Sequence, residues 1–499
     1  MSKKAYIIGA GPGDEELLTL KAINALQKCT AVLYDRLVGN NILNYLNDDC
    51  EIYYCGKEPG CHYKTQEEIN ESIVELAKKG HVVGRVKGGD PYVFGRGGEE
   101  VLALVEENIP FEVIPGVTSP ISVLNYAGIP ITHRGLSQSF HIVTGMSART
   151  LNVNWKALSK ENGTLVFMMG LSNLETIVEK LLENGKDIET PCGVVMRGTT
   201  SKQRKVIGTL ENICKKVREA KLESPCIIVV GDVVSLNEKL SWYEKLPLFG
   251  ANICLTRSKE QSKEIKWKLK ELGAEVTEIN SIKIKETAYN LDEYINTLEK
   301  YDHIVFTSVN AVNVFFDYLV KNRVDIRKIK ADFAVLGKAT KKALIARGIV
   351  PSIMAHSFTA EGLFEVLKDN IKEGEEVLIP CSSLSREYLF DNLASLGAKC
   401  HRVNIYDTVC GDVKNPRAFK EVDMVLYTSP STVKNMIDMI GLEALKEKVS
   451  IAIGPITLKA LNESGIEGKM CKTHCGDGFL SEIEGICGKI NFIGKLQTN

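Results

Sequence analysis

Residues 85 to 98 read Arg-Val-Lys-Gly-Gly-Asp-Pro-Tyr-Val-Phe-Gly-Arg-Gly-Gly, between the apolar run His81 to Val86 and the helical pattern Glu99 to Glu107. Glycines let backbone approach a ligand closely, Asp90 and the arginines can fix polar groups, and Tyr92 and Phe94 offer flat apolar surface. Two more loops have the same character: Gly9-Ala10-Gly11-Pro12-Gly13-Asp14, and Pro115-Gly116-Val117-Thr118-Ser119 after the strand-like Phe111 to Ile114. Three such loops after three strand-like runs can make one small-molecule site. Asp35 and Arg36, at the end of Ala31 to Tyr34, and Lys57, after Glu51 to Tyr54, add an acid and two cations at matching positions.

Those loops need a scaffold of alternating strands and helices. Ala5 to Gly9, Ala31 to Tyr34, Glu51 to Tyr54, Val82 to Val86 and Phe111 to Ile114 have strand character, and Leu17 to Lys28 and Gln66 to Lys79 have helical period. This is an α/β domain over about residues 1–135. Further strand patterns at Ile142 to Thr144, Thr164 to Met168, Gly193 to Met196 and Cys226 to Val230 make a second α/β lobe over 136–240. The stretch Leu236 to Phe249 lacks a clean period, so a connector is placed at 241–249 and a second domain at 250–490. Cutting within the connector is expected to leave two soluble fragments.

Beyond the connector the chain repeats itself. Leu272-Gly273-Ala274 recurs as Leu396-Gly397-Ala398, Thr307-Ser308 with Ala311-Val312 recurs as Thr428-Ser429 with Thr432-Val433, and Gly337 recurs as Gly454. Two duplicated α/β lobes are expected from this order of landmarks.

Composition narrows the function. A chain of 499 residues holds roughly three folding units. A net charge of -1 argues against a general nucleic-acid binder. No apolar run reaches the length of a membrane span and no secretory signal follows Met1, so a cytoplasmic protein without membrane association is expected. The 14 cysteines include no C-x-x-C pair, so free thiols are expected and no metal site.

Gly9, Gly11 and Asp35 imitate a dinucleotide fingerprint. That reading fails at the third glycine, where Asp14 stands, and leaves the loop 87–98 without a role. Taken with Tyr34-Asp35-Arg36, Gly56-Lys57, Lys87 to Gly98, Pro115 to Ser119, Gly128 to Arg134 and Met169-Gly170, the N-terminal half (about residues 3–236) closely resembles uroporphyrinogen-III C-methyltransferase. The resemblance implies a two-lobed tetrapyrrole methylase fold, S-adenosyl-L-methionine as cofactor and tetrapyrroles as small-molecule substrates; a homodimer through this half is compatible with it. It implies Asp35 as proton acceptor and Lys57 as proton donor. It places the cofactor against Pro12, Gly88, Gly89, Asp90, Val93, Thr118, Ser119, Met169 and Gly198. Because the tetrapyrrole carries many carboxylates, the cations Arg36, Lys87, Arg96, His133 and Arg134, with Arg85 and Arg149 beside them, are expected to hold it.

The C-terminal half resembles uroporphyrinogen-III synthase through Val305 to Ser308, Ala334 to Gly337 with Thr340, Tyr406 with Thr408, Leu426 to Ser431 and Ile453-Gly454. That family interleaves its lobes, which implies one lobe from 250–282 plus 407–490 and another from 283–406; the repeat alone would suggest a cut near 373. By this resemblance the chain would close hydroxymethylbilane to uroporphyrinogen III and then methylate it twice to precorrin-2, toward sirohaem or cobalamin. Tyr406 is the candidate for assisting loss of a hydroxyl, while Thr307, Ser308, Thr428, Ser429 and Ser431 stand between strands and helices where they can hold carboxylates or cap helices. An alternative stays open at this point: a methyltransferase acting on another corrin intermediate, with a non-catalytic tetrapyrrole-binding C-terminal module.

Overall fold

Runs such as Ala5 to Ile8 and Ala31 to Tyr34 have no polar face to turn to water, so they become inner strands of a parallel sheet covered on both sides. The computed structural model describes residues 4–56, 65–145, 153–257, 259–473 and 476–488. Strands β1 (Lys4–Gly9), β2 (Ala31–Tyr34), β3 (Glu51–Tyr54), β4 (Val82–Lys87) and β5 (Phe111–Ile114) form one parallel sheet in the order β3-β2-β4-β1-β5. Alternate residues feed two cores. Tyr6, Ile8, Val32 and Tyr34 pack on one face, and Ala5, Ile7, Ala31 and Leu33 on the other. The three glycine-rich loops leave the carboxyl ends of β1, β4 and β5.

A second sheet holds β6 (Phe140–Thr144), β7 (Thr164–Met168), β8 (Pro191–Met196), β9 (Arg204–Thr209) and β10 (Cys226–Val230) in the order β6-β7-β10-β8-β9. Only β6 and β7 run parallel; β10 and β9 pair antiparallel with their neighbours. The stretch after it is packed rather than extended. Tyr243, Leu248 and Phe249 are buried, and the Tyr126, Trp242, Tyr243 and Phe249 rings meet in a chain of edge-to-face or tilted contacts 4.9–5.5 Å apart.

The remaining strands are β11 (Asn252–Leu255), β12 (Glu275–Glu278), β13 (Ile282–Glu286), β14 (His303–Phe306), β15 (Asp332–Val335), β16 (Ile353–Met354), β17 (Glu376–Ser382), β18 (Lys399–Cys410), β19 (Met424–Tyr427), β20 (Val449–Ala452) and β21 (Gly468–Met470). They build a five-stranded parallel sheet, β12-β11-β19-β20-β21, and a six-stranded one, β13-β18-β17-β14-β15-β16, whose edge strand β13 alone is antiparallel. Without β13 the two orders are the same, which is the duplication seen in the sequence. The landmarks coincide too. Gly273 and Gly397 both take positive φ (92° and 86°) just before β12 and β18. Ser308 and Ser429 cap the helices after β14 and β19, and Gly337 and Gly454 precede the helices after β15 and β20. The chain divides into two compact units, Met1–Asn280 with Val413–Asn499, and Ser281–Asp412. The described cysteines are free and mostly buried, and burial pushes thiols such as Cys29 up to about 12. No described helix is long and apolar enough to cross a membrane.

Candidate active sites

The carboxyl ends of β1, β4 and β5 lie side by side, with Gly9 opposite Lys87 and Ile8 opposite Ile114. The loops that follow are knitted backbone to backbone. Gly11 and Gly89 exchange hydrogen bonds at 3.2 and 2.6 Å. A Cβ on Gly9 would lie 2.4 Å from the Gly116 amide nitrogen, and one on Gly116 would lie 2.2 Å from the Gly89 carbonyl. Only glycine permits this approach, because the intruding atom would meet backbone rather than a movable side chain. Asp90 closes the cradle: one carboxylate oxygen accepts from the Tyr92 amide at 2.8 Å and the other from Gly116 at 3.1 Å.

Around this cradle stand most of the expected cofactor residues. Pro12, Gly88, Asp90, Val93, Thr118 and Ser119 are half-buried, and Gly89 and Gly198 are buried. Thr118 caps the helix Ser119–Tyr126 without its hydroxyl accepting a hydrogen bond from that helix. Met169 is 42% exposed in a left-handed conformation, φ 53°, and Tyr92 and Phe94 expose their rings. Bare amides and short hydroxyls on adjoining loops, with the exposed Tyr92 and Phe94 rings on one of them, suit a ligand with a flat base and a polar tail, so these loop residues fit the expected cofactor.

A buried ionic chain supports the neighbouring strand ends. Arg85 and Lys87 project on one face of β4 at the two-residue strand period. Arg85 reaches Asp35 at 3.1 Å and Glu100 at 3.0 Å, and Lys87 reaches the same Glu100 oxygen at 2.8 Å. Burial opposes the Arg85 guanidinium, yet Glu100 and Asp35 raise it above its usual range; burial, reinforced by Arg85, pulls the Lys87 ammonium down. Asp35 also accepts from the Leu37 amide at 3.0 Å, so the carboxylate is held in place at the end of β2.

The expected substrate cations divide. Arg36, Arg96, His133 and Arg134 are exposed, Arg96 in a pair with Glu99 at 2.7 Å. Lys87 differs from the expectation of a substrate contact: it is only 5% exposed and its ammonium is spent on Glu100, as a strand residue facing a buried carboxylate must be. Lys57 and Arg149 lie outside the described residues.

In the C-terminal half, Tyr406 on β18 is 5% exposed and its hydroxyl lies 2.9 Å from the Ser308 hydroxyl. Burial raises the Tyr406 phenol above its usual value. Ser308 also caps its helix, accepting from the Ala311 amide at 3.1 Å. Ser429 does the same in a capping box with Thr432, and its hydroxyl lies 2.9 Å from that of Ser431. Thr307 and Thr428 are half-buried beside them. Thr307, Ser308 and Tyr406 belong to the unit Ser281–Asp412; Thr428, Ser429 and Ser431 belong to the other.

Comparison with known proteins bears on both halves. The family of tetrapyrrole (corrin/porphyrin) methylases matches residues 4–214, and the family of uroporphyrinogen-III synthase HemD matches residues 263–477. The porphyrin biosynthesis protein HemD of Ruminiclostridium josui is 36% identical over 492 residues, which is 97% of this chain and 98% of that one. The chain belongs to this HemD family. It is an enzyme of tetrapyrrole biosynthesis, with an S-adenosylmethionine-dependent methyltransferase in its N-terminal half and a synthase in its C-terminal half. A uroporphyrinogen-III C-methyltransferase of Bacillus subtilis is 40% identical over 348 residues, 69% of this chain and 72% of that one. One of Methanocaldococcus jannaschii is 49% identical over 238 residues, 47% of this chain and 98% of that one.

Sequence reasoning missed several residues of this HemD-family enzyme. Glu100, fully buried, could have been suspected from its place with Val101 and Leu104 on the buried face of the helix Gly97–Glu106. Tyr126 donates to Asp14 at 2.8 Å, and the Asp14 amide donates to the Thr199 hydroxyl at 3.3 Å, joining the first loop to the one that carries Gly198. The largest omission is the synthase lobe itself. Lys270 reaches Asp14 at 2.9 Å, and Lys266 bridges Glu15 at 2.7 Å and Glu278 at 2.6 Å. Burial works against the Lys270 ammonium, but Asp14 and Glu15 hold it charged, above its usual range. Glu275 accepts from the Ser201 amide and hydroxyl at 2.9 and 2.7 Å and from Asn40 at 3.1 Å. No pattern within either half announces these contacts, because each partner alone reads as a solvated charge.

Proposed function

We propose that this enzyme closes hydroxymethylbilane to uroporphyrinogen III and methylates that product at two ring carbons, giving precorrin-2. The observation that carries the methyltransferase assignment is the mutual approach of Gly9, Gly89 and Gly116, with Asp35 on the adjoining strand end. S-adenosylmethionine supplies an electrophilic sulfonium methyl when bound. The chain's own work is then mostly positioning, and well-placed reactants account for a large part of such a barrier. Pro12, Gly88, Gly89, Asp90, Val93, Thr118, Ser119, Met169 and Gly198 hold the cofactor. Arg36, Arg96, His133 and Arg134 hold substrate carboxylates, and Lys87 supports the site through Glu100. Asp35, oriented by Arg85, takes the proton that leaves the methylated ring, and Lys57 returns one.

In the synthase half, Tyr406 donates a proton to the departing hydroxyl of hydroxymethylbilane, which leaves as water while the pyrrole nitrogen's electron pair forms an azafulvenium cation, and loss of the N–H proton to the Tyr406 phenolate gives the azafulvene. Ser308, 2.9 Å away, keeps the phenol pointed and polarised. Thr307 in the unit of Tyr406, and separately Thr428, Ser429 and Ser431 in the other unit, stand at the starts of helices whose amides can each hold a carboxylate. The deciding experiment gives the full-length protein hydroxymethylbilane, with and without S-adenosylmethionine, and separates the products by chromatography. Type III isomer without cofactor and dimethylated product with it are expected. Only type I isomer, the product of unassisted closure, would remove the synthase assignment and leave a tetrapyrrole-binding module. Failure to methylate supplied uroporphyrinogen III would remove the methyltransferase one.

A further inference from the structure

One segment of the synthase lobe, Lys414 to Asp423, lies against four segments of the methyltransferase. Lys414 donates to the Leu46 carbonyl at 2.6 Å and pairs with Asp48 at 3.3 Å. Asn415 donates to the Asn40 carbonyl at 3.3 Å. Glu421 pairs with Arg197, and Asp423 lies 3.5 Å from Lys202. Between these anchors, on the turn Pro416–Glu421, Arg417 places its guanidinium carbon 3.7 Å from the centre of the Tyr54 ring and donates to the Tyr34 hydroxyl at 3.2 Å. The two rings meet edge to face at 5.2 Å.

The position of these rings gives Arg417 its meaning. Tyr34 immediately precedes Asp35 at the end of β2, and Tyr54 ends β3, ahead of Gly56 and Lys57. The Tyr54 ring is folded back over the loop, since a Cβ on Gly56 would meet its hydroxyl at 2.4 Å and the Arg36 amide at 3.0 Å. A guanidinium stacked on one ring and hydrogen-bonded to the other fixes both, which a lysine cannot reproduce in the same plane. At the opposite end of the segment, Glu421 grips Arg197 in a loop where Arg197 and Thr199 hold φ of 47° and 70°, next to Gly198. We propose that Arg417, a residue of the synthase half, is a positioning residue for methyl transfer, aligning the end of β2, which carries Asp35, with the end of β3. This rests on the methyltransferase reading above.

The test uses the full-length protein with Arg417→Met and Arg417→Lys. Methylation of supplied uroporphyrinogen III is measured as kcat and KM, S-adenosylmethionine affinity by calorimetry, and the type III yield from hydroxymethylbilane in the same preparation. Arg417→Met is expected to lower kcat for methylation by about tenfold, as a sub-ångström displacement of a reacting group does, with cofactor affinity and type III yield unchanged. Arg417→Lys is expected to recover part of the loss through its charge over Tyr54. Two results overturn the proposal: kcat within about twofold of wild type, or equal losses in both variants accompanied by a matching loss of cofactor affinity, which would make Arg417 a fastener of the two halves and nothing more. A wild-type protein that methylates nothing refutes the function instead, and is seen before any variant is made.

Discussion

Thr118 and Ser429 both stand between a parallel strand and a helix, and they use their hydroxyls differently. Ser429 spends its oxygen on the Thr432 amide, as Ser308 does on Ala311, whereas the Thr118 hydroxyl makes no such capping bond. The methyltransferase site is built of backbone brought too close for side chains, with short polar groups left over for a ligand. The synthase residues first satisfy their own helices and only then face a substrate. Damage should therefore be abrupt in one half and graded in the other. The sharpest break is Gly116→Ala, whose methyl would sit 2.2 Å from the Gly89 carbonyl. Affinity for S-adenosylmethionine is expected to fall more than about 100-fold, because the loops must part and the cradle depends on a placement held to within about an ångström. Type III synthesis should persist, and calorimetry with chromatography on one preparation reads both.

Asp35→Asn probes the chemistry beside that cradle. The amide keeps the shape and the acceptor oxygen for Arg85 but takes no proton at neutral pH. Methylation should slow by about 10² to 10⁴, the usual cost of losing a general base, with cofactor affinity retained. Glu100 separates this role from mere support. Glu100→Gln leaves Arg85 and Lys87 without their shared anion, and breaking a buried ionic cluster costs about 3–5 kcal/mol. Thermal unfolding should show that loss, whereas Asp35→Asn, at a carboxylate a quarter exposed and with Glu100 still facing Arg85, should lower the unfolding temperature less.

How much of this could be read from the chain alone depends on whether a feature is local. The glycine loops, the parallel strands and the duplicated landmarks are local, since a run such as Ala5 to Gly9 or a pair such as Thr428-Ser429 carries its structural reason within a few residues. The burial of Lys87 is not. It depends on Glu100, thirteen positions later, and a cation in a loop rich in glycine reads as exposed until that carboxylate is placed. The docking of the synthase lobe is further still from view, because Glu275 and Ser201, or Arg417 and Tyr54, lie far apart in the chain and share no motif. The aperiodic stretch between the halves likewise reads only as a connector, and its rings are packed against Tyr126.

Tyr406→Phe tests the graded half. The phenol, raised by burial, stays protonated through neutral pH, so the wild-type synthase rate should not fall from ionisation of this group until above the ordinary tyrosine value of about 10. The sign follows from the direction of the shift: a group whose neutral form is favoured in the folded protein gives up its proton only at a pH higher than normal. Removing the hydroxyl should slow type III formation by about tenfold, below the 10² to 10⁴ of a full acid or base, because ionisation of the hydroxymethyl group proceeds in part without help. The type I fraction should rise correspondingly on chromatography.

The smallest effect is expected at Ser429, where the comparison with Ser308 is most direct. Both serines cap a helix after the equivalent strand, but Ser308 also contacts the Tyr406 hydroxyl at 2.9 Å, while Ser429 contacts Ser431. Ser429→Ala should cost about 1 kcal/mol, the usual price of a lost N-cap, and appear as a lower unfolding temperature. Its synthase rate should change by less than about threefold, since the helix amides that would hold a carboxylate remain. Ser308→Ala should show the same loss of stability and, in addition, part of the rate loss of Tyr406→Phe, with the double variant no slower than Tyr406→Phe alone because both act through one hydroxyl pair. Equal rate losses at Ser308 and Ser429 would mean that both hydroxyls meet substrate directly and that the helix starts serve chemistry as well as capping.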